Sequence, residues 1–166
     1  MKAALLYIVG FIVRLLPDTR CFSFKSWLYR LCGARIGSNV KICSSARILG
    51  VGNLTIGNNV WIGHDVMIVC GENLIIGSNV NIAPRVYIGT GTHKIDITGP
   101  SIAGEGINLP ITIGDGVWLC AGSSILAGVN IGERSIIAMG GVVVTDGPSY
   151  EIWGGVPAKK IKDIMN

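Results

Sequence analysis

Two histidines stand in a chain of 166 residues, His64 and His93. Imidazole is the side chain whose ordinary pKa, about 6.5, lets it take and return a proton near neutrality, so either residue could do acid–base work. His93 lies in Gly89-Thr90-Gly91-Thr92-His93, where the two glycines allow another backbone to approach closely. Asp96, three residues on, either orients that ring or faces solvent. His64 sits within Ile62-Gly63-His64-Asp65-Val66 and reads as a solvated or inter-subunit turn residue rather than a catalytic one. The five cysteines (Cys21, Cys32, Cys43, Cys70, Cys120) are odd in number and contain no CxxC pair. Neither a disulfide framework nor a thiolate zinc site is indicated, and reduced, cytoplasmic thiols are the simple inference. Cys120 directly follows Leu119 and has no neighbouring base in sequence, which argues against a covalent nucleophile.

The elements that position these residues are written in a repeat. From residue 36 an aliphatic residue recurs every six positions: Ile36, Ile42, Ile48, then Ile56, Ile62, Ile68, then Ile76, Ile82, Ile88. A second run follows at Ile113, Leu119, Ile125, Ile131, Ile137 and Val143. Glycine follows the first member of each set of three (Gly37, Gly57, Gly77, Gly114, Gly132), so the larger unit is eighteen residues. A period of six is even and keeps the marker on one face of a strand, whereas a helical period would rotate it around the axis. Short strands broken by Gly, Asn, Asp and Ser predict flat sides joined by tight corners, three sides to a coil. Stacked in parallel about 4.8 Å apart, five coils give a prism roughly 24 Å tall with one continuous core.

The period breaks at one corner only. Ile48 to Ile56 and Ile68 to Ile76 are each eight residues apart, and Ile88 to Ile113 is twenty-five. Insertions in solenoids collect on the functional face. The large one, residues 89–112, is rich in glycine and proline and predicts a projecting loop. It carries His93, which becomes the candidate base.

Iterations such as Ile56-Gly57-Asn58-Asn59-Val60-Trp61 resemble the hexapeptide-repeat acyltransferases, most of all the maltose, galactoside, nodulation and colanic-acid types of O-acetyltransferase. The resemblance covers residues 36 to about 161. It implies an all-β fold, a left-handed parallel β-helix of about five triangular coils, with a short N-terminal helical segment (1–35) and a short C-terminal helix (151–166) flanking a coil domain at 36–150. It also implies an acetyl-CoA-dependent O-acetyltransferase acting on a sugar hydroxyl, in capsular or exopolysaccharide assembly, working as a homotrimer with sites between subunits. His93, in Gly91-Thr92-His93, matches the catalytic histidine of those enzymes, although Lys94 replaces the proline that often follows. The backbone of Ala121 matches their oxyanion donor. Acetyl-CoA contacts carry over to Trp118, Ala121, Met139, Val144, Thr145, Pro157, Ala158 and Lys159, and Thr145 stands where many relatives have lysine. An amine of an amino sugar could use the same base, so N-acetylation is the alternative, and a non-catalytic scaffold is a third reading. Zinc enzymes sharing this coil need three histidine ligands and this chain has two, so no metal is expected.

Composition narrows the partners. Hydrophobic residues make up 49% and charged residues 14%, which excludes a disordered chain. Residues 1–35 carry six positive charges and one negative, residues 36–158 five and eight, and residues 159–166 three and one. The body is slightly acidic, without the basic stripe and interleaved aromatics of a nucleic-acid binder, so no nucleic acid is expected. The apolar run Ala3 to Leu16 is fourteen residues long and contains Gly10 and Arg14, too short to span a bilayer. It predicts a helix docked on the protein or on a subunit neighbour or, as the sharper alternative, a peripheral membrane contact through residues 1–30 at the inner membrane surface.

Overall fold

A computed structural model describes residues 1–165. From Arg35 onward the chain winds into three parallel sheets that form the faces of a prism. The predicted markers stack in register: Ile36, Ile56, Ile76, Ile113 and Ile131 on the first face; Ile42, Ile62, Ile82, Leu119 and Ile137 on the second; Ile48, Ile68, Ile88, Ile125 and Val143 on the third. All fifteen are buried. Their outward neighbours alternate with them, as Lys41 does with Ile42 and Trp118 with Leu119. Ile76 pairs directly with Ile113, so the large insertion leaves the column unbroken.

The corners explain why glycine and asparagine recur. A Cβ placed on Gly57, Gly77 or Gly114 would lie 2.7–2.8 Å from backbone atoms of the following coil, closer than carbon tolerates. Asn39, Asn59 and Asn79 hold the left-handed conformation, with φ of 52°, 57° and 59°, which their short polar side chains tolerate. Those side chains form a ladder, Asn39 Nδ2 donating to Asn59 Oδ1 and Asn59 Nδ2 to Asn79 Oδ1, each at 3.1 Å.

Two helices close the open N-terminal end, α1 (Ala3–Arg14) and α2 (Phe22–Leu31). Leu6, Val9 and Val13 of α1 and Leu28 and Tyr29 of α2 join one core with Ile36, Ile42 and Ile48. The linker between the helices is clasped by Lys25, whose fully buried ammonium donates to the carbonyls of Pro17 (3.0 Å), Asp18 (2.7 Å) and Ile42 (3.2 Å). Burial lowers the Lys25 pKa, and the nearby Asp18 carboxylate partly offsets that.

The C-terminal end differs from expectation. The chain begins a sixth turn, with Gly147 bridged to Ile131 and Trp153 paired with Ile137. Where a short helix is predicted over 151–166, strand Glu151–Gly154 instead pairs antiparallel with strand Lys159–Asp163. The reason is the unpaired backbone edge of the last turn: a returning strand satisfies its hydrogen-bonding groups, as a detached helix would not.

Candidate functional site

All three breaks in the period fall at the corner between the third and first faces. The largest is an antiparallel hairpin, strand Gly91–Ile95 against strand Ala103–Asn108, rather than an irregular loop. Its root is fixed by Thr90, which is fully buried. The Thr90 Oγ1 accepts from the amides of Gly71 (2.8 Å) and Glu72 (3.2 Å) and donates to the Val69 carbonyl at 3.3 Å. The Leu109 amide closes the other side on the Thr90 carbonyl at 2.8 Å.

His93 stands opposite Gly106, and the pairing register shifts between His93 and Ile95. Such an irregularity re-aims the side chain beside it. The ring lies over Gly106, within ordinary van der Waals reach of where a Cβ would stand. Nδ1 is 2.9 Å from the Gly104 carbonyl. A carbonyl only accepts, so Nδ1 carries the hydrogen and the neutral ring presents a free lone pair at Nε2. This is the tautomer a general base requires.

Asp96 does not orient that ring. Its carboxylate accepts from the amides of Thr98 (2.9 Å) and Gly99 (2.8 Å) and from the Thr98 hydroxyl at 2.9 Å. Those hydrogen bonds, the Thr98 amide foremost, hold its carboxyl below the usual range. Asp96 shapes the hairpin tip, and the backbone of Gly104 takes the orienting part. Lys94 pairs with Glu105 across the hairpin at 2.6 Å, but both side chains are mostly exposed and the pair contributes little.

His64 lies at the corner between the second and third faces, where its Nδ1 meets Asp18 Oδ2 at 2.6 Å. Asp18 also accepts from the Ser45 amide at 2.9 Å, so the pair ties the helical linker to the first two coils. The Cys43 thiol belongs to this cluster, and the three potential ligand atoms of Asp18, Cys43 and His64 lie within 4.8 Å of one another. Asp18 and His64 are already at hydrogen-bond distance, and burial pushes the Cys43 thiol up to about 11. A protonated thiol and a closed acid–imidazole pair beside a buried ammonium make a structural clasp, not a ready cation site.

The other predicted residues are distributed over two corners and the C-terminal hairpin. Trp118 points outward from the second face, half exposed, over an open groove of about 500 Å³ that it lines with Trp61, Asn81, Ala83 and Pro84. Ala121 and Met139 follow at the corner between the second and third faces. Gly122 donates to the Pro84 carbonyl at 3.0 Å, while the Ala121 amide has no acceptor among the described residues and remains available as a donor. Burial raises the neighbouring Cys120 thiol, which leaves it a poor nucleophile. Val144 and Thr145 are exposed at the corner between the third and first faces, and the Ala158 amide anchors its hairpin to the Val142 carbonyl at 2.7 Å beside Pro157. Lys159 is exposed and has no ion pair among the described residues, whereas Lys160 is held by Glu151 and Asp163, each at 2.7 Å. Within one chain, His93 and the Ala121 amide therefore occupy different corners.

Sequence reasoning missed Thr90, the Gly104 carbonyl and the groove beside Trp61. Only Thr90 left a signal, as a residue just past Ile88, the last marker before the insertion.

No family model matches the chain. It is 41% identical over 61 residues to a galactoside O-acetyltransferase of Escherichia coli, a match covering 37% of this chain and 30% of that protein. The chain spans 41% or less of the length of the curated relatives it matches. Among solved structures, a hexapeptide-repeat acetyltransferase of Vibrio cholerae superposes with a TM-score of 0.80 at 25% identity, covering 99% of this chain and 91% of that one. A polySia-specific acetyltransferase superposes with a TM-score of 0.67 at 32% identity, over 79% of this chain and 57% of that one. The prism is the left-handed parallel β-helix of these proteins. With its six-residue period and its three-sided coil, the chain has the fold of the hexapeptide-repeat acetyltransferases and resembles them in sequence along its coils.

Proposed function

We propose that the protein transfers an acetyl group from acetyl-CoA to a sugar hydroxyl, with His93 as general base, in the assembly of a capsular or exopolysaccharide-type glycan. The observation that carries this reading is the His93 ring, fixed through Nδ1 by the Gly104 carbonyl with Nε2 open. The galactoside O-acetyltransferase relative and the superposable polySia-specific enzyme support a sugar acceptor. A galactoside acetyltransferase determined with coenzyme A, superposing at 25% identity with a TM-score of 0.65 over 98% of this chain, supports the cosubstrate.

In this mechanism Nε2 takes the hydroxyl proton as the oxygen attacks the thioester carbonyl carbon. The resulting oxyanion accepts from the Ala121 amide. Collapse breaks the carbon–sulfur bond, and the imidazolium returns its proton to the departing thiolate, giving the acetyl ester and free coenzyme A. The base and the donor sit on different corners, which supports an active unit made of more than one copy; the proposed unit is a homotrimer in which one protomer's hairpin faces its neighbour's Trp118 and Ala121.

The test is coenzyme A release from acetyl-CoA over a panel of sugars and amino sugars. His93→Asn is expected to lower kcat by about 10²–10⁴-fold. An active His93→Asn removes the residue from the base role, turnover confined to amino sugars assigns N-acetylation, and no acetyl-CoA binding by calorimetry favours a scaffold.

A further inference from the structure

We propose that the helical cap of the prism seats the protein on an anionic phospholipid surface. Helix α1 is apolar on both sides. Its inner residues are buried in the core, while Tyr7, Ile8, Phe11 and Leu15 are 57–73% exposed. Their spacing places them along one stripe of the helix. Helix α2 turns out Phe24, Trp27 and Leu31, with the Phe24 and Trp27 rings stacked at 5.7 Å. Proteins that stay free in water rarely leave such surface uncovered.

Charge decides what covers it. Every strand of the first coil carries an exposed cation just ahead of its buried isoleucine: Arg35, Lys41 and Arg47. The residues paired with them in the second coil are Thr55, Trp61 and Met67. Arg14 ends α1 and Arg20 stands in the linker, both exposed. None of these five cations forms an ion pair among the described residues. The one acid of residues 1–35, Asp18, is held by His64 and Ser45. An apolar stripe within a basic collar is the pattern of a helix lying in a lipid interface. A second copy docked cap to cap would set two such collars against each other. No described helix is long and apolar enough to cross a membrane, so the contact is peripheral.

The experiment is co-sedimentation of the full chain with phosphatidylcholine vesicles, with and without phosphatidylglycerol. Binding is expected to require phosphatidylglycerol and to weaken steeply as salt shortens electrostatic reach. Phe11→Ser with Leu15→Ser should weaken it on the order of tenfold or more, and Arg14→Ser with Arg47→Ser should weaken it without changing the melting temperature. All four side chains point outward, and unchanged circular dichroism confirms the fold. The proposal is overturned if phosphatidylglycerol vesicles do not bind, if the serine variants bind equally well, or if Phe11→Ser instead splits an oligomer in light scattering while vesicle binding is absent.

Discussion

Replacing Thr90 with valine removes one oxygen and keeps the shape of the side chain. That oxygen accepts from the amides of Gly71 and Glu72 and donates to the Val69 carbonyl, all from a fully buried position at the root of the hairpin. A buried amide left without an acceptor costs about 1–3 kcal/mol. Gly71 and Glu72 are only half-buried, so water recovers part of this, and about 2 kcal/mol is the expected loss in a urea unfolding titration. The second readout is the geometry of His93, three residues along. A displacement of about 1 Å can cost on the order of a hundredfold in rate, so kcat for acetyl transfer falls while KM for acetyl-CoA stays. Thr90→Ser retains the oxygen and should recover most of both. Equal stability and turnover in Thr90→Val, or a serine variant as impaired as the valine one, would refute the assignment of the hairpin root to this hydroxyl.

Three further outcomes follow from the packing and the charges. Ile82→Ala empties a fully buried site at the middle of the second-face column and should cost about 2–5 kcal/mol in chemical denaturation, whereas Ile82→Val should cost about 1. Gly77→Ala forces a methyl to within 2.8 Å of the Asp115 amide nitrogen and should destabilise by about 1–3 kcal/mol, while Gly10→Ala in α1, with open space around it, should stabilise by about 0.5–1 kcal/mol in the same assay. The Asp18 carboxyl lies below its ordinary value of 3.8 because hydrogen bonds from Ser45 and His64 outweigh the opposing effect of burial. A depressed carboxyl contributes stability in full above the ordinary value and loses it as pH falls through the folded one. Urea midpoints measured from about pH 5 down to about pH 2.5 should therefore fall, and Asp18→Asn should flatten part of that slope.

The column was legible in the sequence because an even period survives only in strands, and each isoleucine from Ile36 to Ile137 reports its own face. The corner glycines were legible as a pattern, but the reason, contact with the next coil's backbone, needed coordinates. The C-terminal segment departs from the helix that the resemblance implies, even though Ala158-Lys159-Lys160-Ile161-Lys162 has good local helix propensity. The exposed edge at Glu151–Gly154 overrides that preference from outside the segment. The clasp of Asp18 with His64 joins residues 46 positions apart, and nothing local to either announces the other. His93 is legible because it stands where the repeat after Ile88 gives way to the insertion, yet the sequence offers only side chains such as Asp96 to orient it, whereas a backbone carbonyl, which leaves no trace in composition, holds the ring.

The division of the site follows from the same topology. The insertion leaves after Ile88 on the third face, whereas Ala121 follows Leu119 on the second, and the stacked isoleucines fix both corners in one rigid prism. No bending of a short corner can bring a hairpin around the prism's face without breaking the register of the column. If the His93 ring and the Ala121 amide act on one acetyl group, they must come from different copies of the chain. Mixing a His93→Asn chain with one whose donor corner is blocked by Ala121→Trp should then restore activity that neither chain has alone. Failure to complement in mixed trimers verified by mass would place both groups in separate reactions.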